Sequence, residues 1–265
     1  MTATVGEIVA QFDEWYPPAL AADWDRIGLV VGDPDASVRS ALFVIDCVPS
    51  TVAEAVDAGV DLVIAHHPLL FRPVASVART SYKGRIVHDL ITHGIALHVA
   101  HTNADRAPGG VADALAGAIG LRDVGAFGSP EVPGRIGRLG VPLSLADFTA
   151  HVAASLPATA AGVRAGGDPN APITTVALCP GAGDEFLAAA YEVGVDAYLT
   201  ADLRHHPAAD HLDRGGPALV EAAHWATEWP WLPVAAARLR EATGVTGLVS
   251  RLPTDPWTVH CAGVA

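Results

Sequence analysis

Gly59-Val60-Asp61-Leu62-Val63-Ile64 runs directly into Ala65-His66-His67-Pro68, and its opening returns later as Gly194-Val195-Asp196-Ala197-Tyr198-Leu199. Each copy follows an Ala-rich helical stretch. Each is a short apolar run of the kind found in strands buried on both faces of a parallel sheet. Working outward from the first copy, the spacing predicts strands at 38–46, 61–65 and 95–100, with helices at 50–58 and 82–93 between them. A helix at 110–119 follows, and an amphipathic helix at 4–16 precedes, stopped by Pro17-Pro18. Around the second copy the pattern restarts, with strands at 174–179, 196–200 and 218–223 and helices at 184–193 and 203–213. A helix from Glu228 to Ala242 and two short strands close the chain.

Strands alternating with helices imply parallel crossovers and an α/β class. The repeated Gly-Val-Asp run implies an internal duplication, with two related α/β halves and mainly parallel sheets. Residues 121–135 are rich in Gly, Pro and polar turn formers and read as the connection. The halves are then 1–125, carrying His66, His67, His101 and Asp105, and 126–265, carrying Asp202, His206, His224 and Glu228.

A second signature is shared by the halves. Val99-Ala100-His101-Thr102-Asn103-Ala104-Asp105 and Ala222-Ala223-His224-Trp225-Ala226-Thr227-Glu228 each place a carboxylate four residues after a His that ends an apolar run. Either carboxylate alone would read as a helix N-terminal residue complementing the dipole. The equal spacing after His favours ligation. With His66-His67 the chain offers four histidines and two carboxylates at strand ends, where ligand sites of open α/β sheets lie. Imidazole nitrogen with carboxylate oxygen suits Zn²⁺, Fe²⁺, Mn²⁺ or Co²⁺, and the set is sized for two ions. Adjacent histidines on an extended segment point opposite ways, which suits service to two neighbouring ions. His88, His93, His98, His151 and His260 lack such a context and read as structural.

Composition narrows the function classes. The 265 residues are 51% hydrophobic, with a net charge of −13 and only 16 Lys plus Arg. No cationic cluster suits counterion-release binding, so a nucleic-acid partner is not expected. No apolar stretch is long enough to span a bilayer. The N-terminus carries Glu7, Asp13 and Glu14 and no basic region, so no signal peptide is expected. Three scattered cysteines, Cys47, Cys179 and Cys261, suit a reducing cytoplasm, with Cys47 and Cys179 as small buried hydrophobes. Gly-x-Ser-x-Gly, Gly-x-Gly-x-x-Gly and His-Glu-x-x-His motifs are all absent. Gly181-Ala182-Gly183, at a strand–helix junction, reads either as an anion-facing amide loop or as an ordinary tight turn. Trp24, Arg26, Phe71, Tyr82, Lys83 and Trp225 are candidates to line a cleft, with Trp24 and Phe71 better suited to the core.

Several segments resemble the Nif-three-like dinuclear metal centre hexameric proteins, also labelled GTP cyclohydrolase type 2 homologs. The resemblance rests on Asp23-Trp24-Asp25-Arg26-Ile27-Gly28-Leu29, Ala65-His66-His67-Pro68-Leu69 and Ala100-His101-Thr102-Asn103-Ala104-Asp105. Cys179-Pro180-Gly181-Ala182-Gly183, Tyr198-Leu199-Thr200-Ala201-Asp202 with His206, and His224 with Glu228 complete it. It implies a duplicated α/β/α unit, a dinuclear site in the cleft between the halves, and a ring-shaped homohexamer. It also implies His66, His67, Asp105, His224 and Glu228 as metal ligands, with Glu228 bridging. By the same resemblance His101 is a weak ligand or lies just behind the ligands, and Asp202 and His206 line the cleft. Arg26, Cys47 and Ala201 depart from the family's usual Asn, Thr and Gly, and none removes a ligand. The chain has no room for the PII-like domain inserted in longer members.

Two divalent ions activate water for attack on an electrophilic carbon or phosphorus. The expected function is therefore a metal-dependent hydrolase, GTP cyclohydrolase-like or a phosphoesterase, acting on a nucleotide-like or phosphorylated small molecule. His101 and His206 are the candidates for proton transfer or orientation. The alternative is a non-catalytic protein that holds metal and regulates a partner.

Overall fold

The computed structural model describes residues 3–129 and 132–261, so residues 130 and 131 of the expected connection lie outside the described set. Contacts divide the chain into two units, Met1–Gly110 with Trp231–Thr254, and Val111–Pro230 with Asp255–Ala265. The boundary expected at 125/126 is therefore corrected. It falls at 110/111, and the chain returns to the first unit at Trp231 because its last strand joins the first unit's sheet.

The first unit begins with β1 (Ala3–Thr4) and α1 (Val5–Trp15). Thr4 and Glu7 cap α1 reciprocally, each accepting the other's backbone N–H. Then come β2 (Gly28–Val31), β3 (Ser37–Val38), β4 (Ser40–Asp46), α2 (Pro49–Ala58), β5 (Leu62–His67), α3 (Tyr82–Thr92), β6 (Ala96–Val99) and α4 (Thr102–Arg106). The second unit holds α5 (Val111–Ala118), β7 (Arg122–Ala126), β8 (Arg135–Ser144), α6 (Leu145–Ser155), β9 (Val163–Gly166) and β10 (Pro172–Ala182). It continues through α7 (Leu187–Val193), β11 (Ala197–Ala201), α8 (His205–Asp213), β12 (Ala218–Ala222) and α9 (His224–Glu228). Back in the first unit, α10 (Trp231–Thr243) leads to β13 (Thr246–Val249). Among the described residues β13 is the single closing strand, where two were expected.

The first unit's main sheet has the order β13-β4-β5-β6-β2, parallel throughout except for β2 at one edge. Period-two alternation sends Leu42, Val44, Val63, Ala65, Leu97 and Val99 to one face, packed with Val52 and Ala55 of α2 and Ile86 and Leu90 of α3. The intervening Phe43 and His98 meet Phe12 of α1 on the other face. His66 falls on that second face as well, beside Trp231 of α10.

The second unit's sheet has the order β7-β8-β10-β11-β12-β9. Only β10-β11-β12 are parallel, and three antiparallel strands flank them, so the expectation of a mainly parallel sheet holds for the first unit and fails for the second. β7, β8, α6 and β9 occupy a stretch that the sequence pattern reads as connection or leaves unassigned.

The Gly-Val-Asp runs do the same work in both units. Gly59 and Gly194 end α2 and α7 in the left-handed region, at φ +61° and +65°, which favours glycine. Val60 and Val195 are buried. The Asp61 carboxylate accepts from the backbone N–H of Arg39 and Ser40 at the start of β4, at 2.8 and 3.3 Å. The Asp196 carboxylate accepts from Thr174 and Thr175 of β10 at 2.9 and 2.7 Å. Burial pushes both carboxyls up, but these bonds, helped by Arg39 at Asp61, hold both below the usual range. The next strand is tied on identically, Ala96 N–H to Asp61 O and Ala218 N–H to Asp196 O, each at 3.0 Å.

Candidate metal centre

In the first unit the donors gather at the carboxyl ends of β5 and β6. His66 and His67 are the last residues of β5, His101 caps α4, and Asp105 sits on α4. Ring nitrogens of His66, His67 and His101 lie within 4.8 Å of one another. Nε2 of the fully buried His66 is 3.5 Å from Asp105 Oδ1.

Each imidazole is oriented through its Nδ1. The Nδ1 of His66 is 2.9 Å from the Ala100 carbonyl oxygen, that of His67 is 2.8 Å from Asp46 Oδ1, and that of His101 is 2.8 Å from Asp25 Oδ1. An oxygen acceptor at Nδ1 fixes the tautomer and leaves Nε2 as the nitrogen a metal can use. Asp25 is itself held hard. Its carboxylate accepts from Thr102 N–H at 3.0 Å, Thr102 Oγ1 at 2.5 Å and Arg26 N–H at 2.7 Å. Burial would raise the Asp25 carboxyl, but the hydrogen bond and charge of His101, with the Thr102 and Arg26 bonds, hold it well below the usual carboxylate range. Asn103 completes the brace, accepting from His101 N–H at 2.9 Å and donating to the Tyr16 carbonyl at 2.7 Å.

The second unit repeats the device with other residues. His224 opens α9, one residue after β12 and Ala223, and Glu228 lies one helical turn on, so His224 Nε2 stands 2.9 Å from Glu228 Oε1. The Nδ1 of His224 is 2.7 Å from Asp202 Oδ2. Asp202 follows β11 at φ +55°, a left-handed conformation costly for a side-chain-bearing residue and typical of functional positions. Burial alone would lower the His224 pKa, but the charge of Glu228 and the Asp202 hydrogen bond outweigh it and drive it up to about 11.

Gly181 makes this corner possible. At φ +65° it has no side chain, and a Cβ there would fall 2.6 Å from Glu228 Oε1 and 3.0 Å from His224 Nε2. Its N–H goes to Thr227 Oγ1 at 2.9 Å, and the Gly183 N–H goes to the Ala201 carbonyl. Both glycine amides are thus committed within the protein. The loop is a tight turn that leaves room for Glu228 and His224, not an anion cradle.

The expected ligands therefore stand at strand ends or on the short helices that follow them, His66, His67 and Asp105 in one unit and His224 and Glu228 in the other. The donor set, imidazole nitrogens braced at Nδ1 beside carboxylate oxygens, fits a divalent transition metal. His101 joins His66 and His67 in one group. His206 has a different setting. It is exposed on α8, its ring 5.1 Å from that of His205, and it lines a groove with Glu185, Tyr191 and Asp210 that includes neither His224 nor Glu228. Asp25 and Asp46, which orient His101 and His67, carry no spacing signal in the sequence. Cys47 and Cys179 are buried as expected, and burial first, then Asp46, pushes the Cys47 thiol up to about 12. Trp225 is buried as well, and so packs rather than lines. Trp24 and Phe71 correct the expectation of core placement, being 55% and 42% exposed.

Comparisons with known proteins show the chain's family and fold. A family model described as Duf34/NIF3 (NGG1p interacting factor 3) covers residues 3–256. A Streptomyces coelicolor protein named GTP cyclohydrolase 1 type 2 homolog is 47% identical over 274 residues, spanning 97% of this chain and 95% of its own length. A Mycobacterium tuberculosis protein of the same name is 34% identical across 98% of each chain. Among solved structures, a Bacillus cereus protein related to NIF3 superposes with a TM-score of 0.90 at 24% identity, over 98% of this chain and 99% of its own. No helix among the described residues is long and apolar enough to cross a membrane.

Proposed function

The chain belongs to the Duf34/NIF3 family, and from that premise we propose that it is a dinuclear-metal hydrolase acting on a nucleotide-like or phosphorylated small molecule. The observation that carries the proposal is the shared bracing of His66, His67, His101 and His224. Each ring has its Nδ1 on a carbonyl or carboxylate oxygen, with Asp105 beside His66 and Glu228 beside His224. In this reading His66, His67, Asp105, His224 and Glu228 would hold two divalent ions. The ions are drawn from Zn²⁺, Fe²⁺, Mn²⁺ and Co²⁺.

Two such ions supply Lewis-acid polarisation and water activation. The protein's own groups do the rest. Asp25, Asp46 and Asp202 hold the imidazoles in one tautomer and raise their basicity. His101, fixed on Asp25, presents Nε2 toward the His66–His67 group and is placed to orient a reactant or move a proton. His206 serves as a second proton-transfer candidate only if its α8 groove faces the same substrate. The curated relatives' name supports a nucleotide-like substrate. The matched Gly-Val-Asp roles support descent of both units from one duplicated ancestor. By the family resemblance the setting is the cytoplasm and the assembly a homohexamer, which light scattering tests.

The test is to load the apoprotein with each of the four metals and assay GTP, phosphodiesters and phosphomonoesters. Metal-dependent turnover that Glu228→Ala abolishes is expected. Stoichiometric metal uptake with no turnover on any of these substrates would replace the hydrolase with the non-catalytic metal-holding reading.

A further inference from the structure

We infer that Trp24 and Phe71 form a stacking platform for a planar heteroaromatic ring, which selects base-bearing over ring-free phosphorylated substrates at the metal centre. This inference rests on the hydrolase reading above and sharpens its substrate class. The two rings meet edge to face, centroids 5.6 Å apart at 67°. Trp24 also meets His101 edge to face at 6.1 Å and 70°. The apolar surface is thus continuous with a candidate metal donor.

Large exposed aromatics on a rigid support beside polar chemistry are unusual, because such rings ordinarily bury most of their area. The Trp24 side of the platform is tied down. The loop carrying Trp24 is stitched to α4 on both sides of the indole. Ala22 N–H donates to Thr102 Oγ1 at 2.9 Å, and Asp25 binds Thr102 and His101. Asp25 N–H closes the turn onto the Ala22 carbonyl at 2.9 Å, and the Arg26 guanidinium caps the Asp25 carbonyl at 2.6 Å. Phe71 comes from the segment just after His66-His67-Pro68. Both rings therefore hang from segments that adjoin the candidate donors, with exposed faces open to a flat ring. An indole face stacks on any planar base, which gives selectivity for a ring without reading its edge. The neighbouring Arg26 and Arg72 are exposed cations in a chain of net charge −13, consistent with an anionic substituent on that ring.

The test uses the full-length, Mn²⁺-loaded protein, with equilibrium binding of guanosine monophosphate and ribose phosphate read by calorimetry. Guanosine monophosphate is expected to bind tighter by about tenfold or more, the scale of one stacked base. Trp24→Ala should erase that ratio, leaving ribose phosphate binding and metal stoichiometry unchanged, and Trp24→Phe should restore most of it. Phe71→Ala should reduce the ratio by a smaller factor. Equal affinity for the two probes in the unmodified protein would overturn the inference. So would a Trp24→Ala variant that keeps the ratio but alters assembly size, since the rings would then be a contact between copies. Ring-selective binding without turnover would sink the hydrolase and leave the platform standing.

Discussion

The Thr254 hydroxyl donates to Asp46 Oδ2, on the same carboxylate whose Oδ1 faces the Nδ1 of His67. A residue 208 positions away thereby bears on the orientation of one candidate metal donor. The segment leading to Thr254 is pinned before it arrives. Ser250 N–H donates to the Phe43 carbonyl, and Ser250 Oγ donates to Glu54 Oε2 at 2.6 Å. Partners behind a ligand typically change metal affinity by about 10- to 100-fold. Thr254→Val is expected to weaken metal binding by about tenfold in a chelator competition, and Thr254→Ser to restore it. Unchanged affinity in the valine variant would remove Thr254 from the site.

Gly181 gives a sharper test of the second unit's donors. In Gly181→Ala the new methyl lies 2.6 Å from Glu228 Oε1, in a conformation that disfavours any side chain. The backbone strain costs about 1–2 kcal/mol, a modest drop in melting temperature. Metal uptake, titrated on the same samples, should fall far more than stability does. A variant that melts early yet binds metal normally would separate Gly181 from the centre.

Asp61 and Asp196 make the same bonds in the two units, so their loss should be felt alike. Alanine at either position leaves two strand amides without their carboxylate, at a cost of about 2 kcal/mol by urea unfolding. Both carboxyls titrate below their unfolded range, so the stability they supply is present above about pH 4 and disappears as pH falls through the folded pKa. A cost confined to one of the two variants would break the equivalence.

His98 carries an acid liability unrelated to metal. It is buried on β6 with Phe12 edge-on at 5.3 Å, and burial pushes its pKa down to about 4. The unfolded chain protonates this ring near its ordinary value of about 6.5, so acid favours unfolding between about pH 6.5 and 4 and adds nothing below. At about pH 5 the penalty is about 2 kcal/mol. The metal-free His98→Leu variant should lose that much less stability than the unmodified protein between neutral pH and about pH 5. Parallel pH profiles would contradict it.

The parallel strands were legible because their faces are apolar on both sides, so Leu62 to Ile64 and Ala197 to Leu199 read as strands at once. β8 was not. It opens at the end of the turn-rich 121–135 stretch, and Gly137, Gly140 and Pro142 interrupt its apolar run. The structure shows why the glycines are there: a Cβ on Gly137 would stand 3.0 Å from the Arg122 carbonyl oxygen, and one on Gly140 would stand 3.1 Å from the Arg122 guanidinium. Close packing against β7 mimics turn composition. The donors were legible because strand ends are visible in a hydrophobicity pattern. Asp25, Asp46 and Thr254 were not, since only tertiary folding brings them to a histidine. Trp24 and Phe71 stand outside the core; apolarity alone does not distinguish a ring that packs inside from one left exposed.

The return of the chain at Trp231 orders events on the ribosome. His66 and His67 emerge early, but the indole that stands 5.5 Å from the His66 ring, the strand β13 that closes the sheet, and the Thr254 hydroxyl behind Asp46 all follow residues 111–230. The first unit to be started thus stays open until nearly all of the second has been made. A nascent chain has the oxygens that orient His66, His67 and His101 once residue 101 has been made, but it lacks the Trp231 indole, β13 and the Thr254 hydroxyl until nearly every residue has been made.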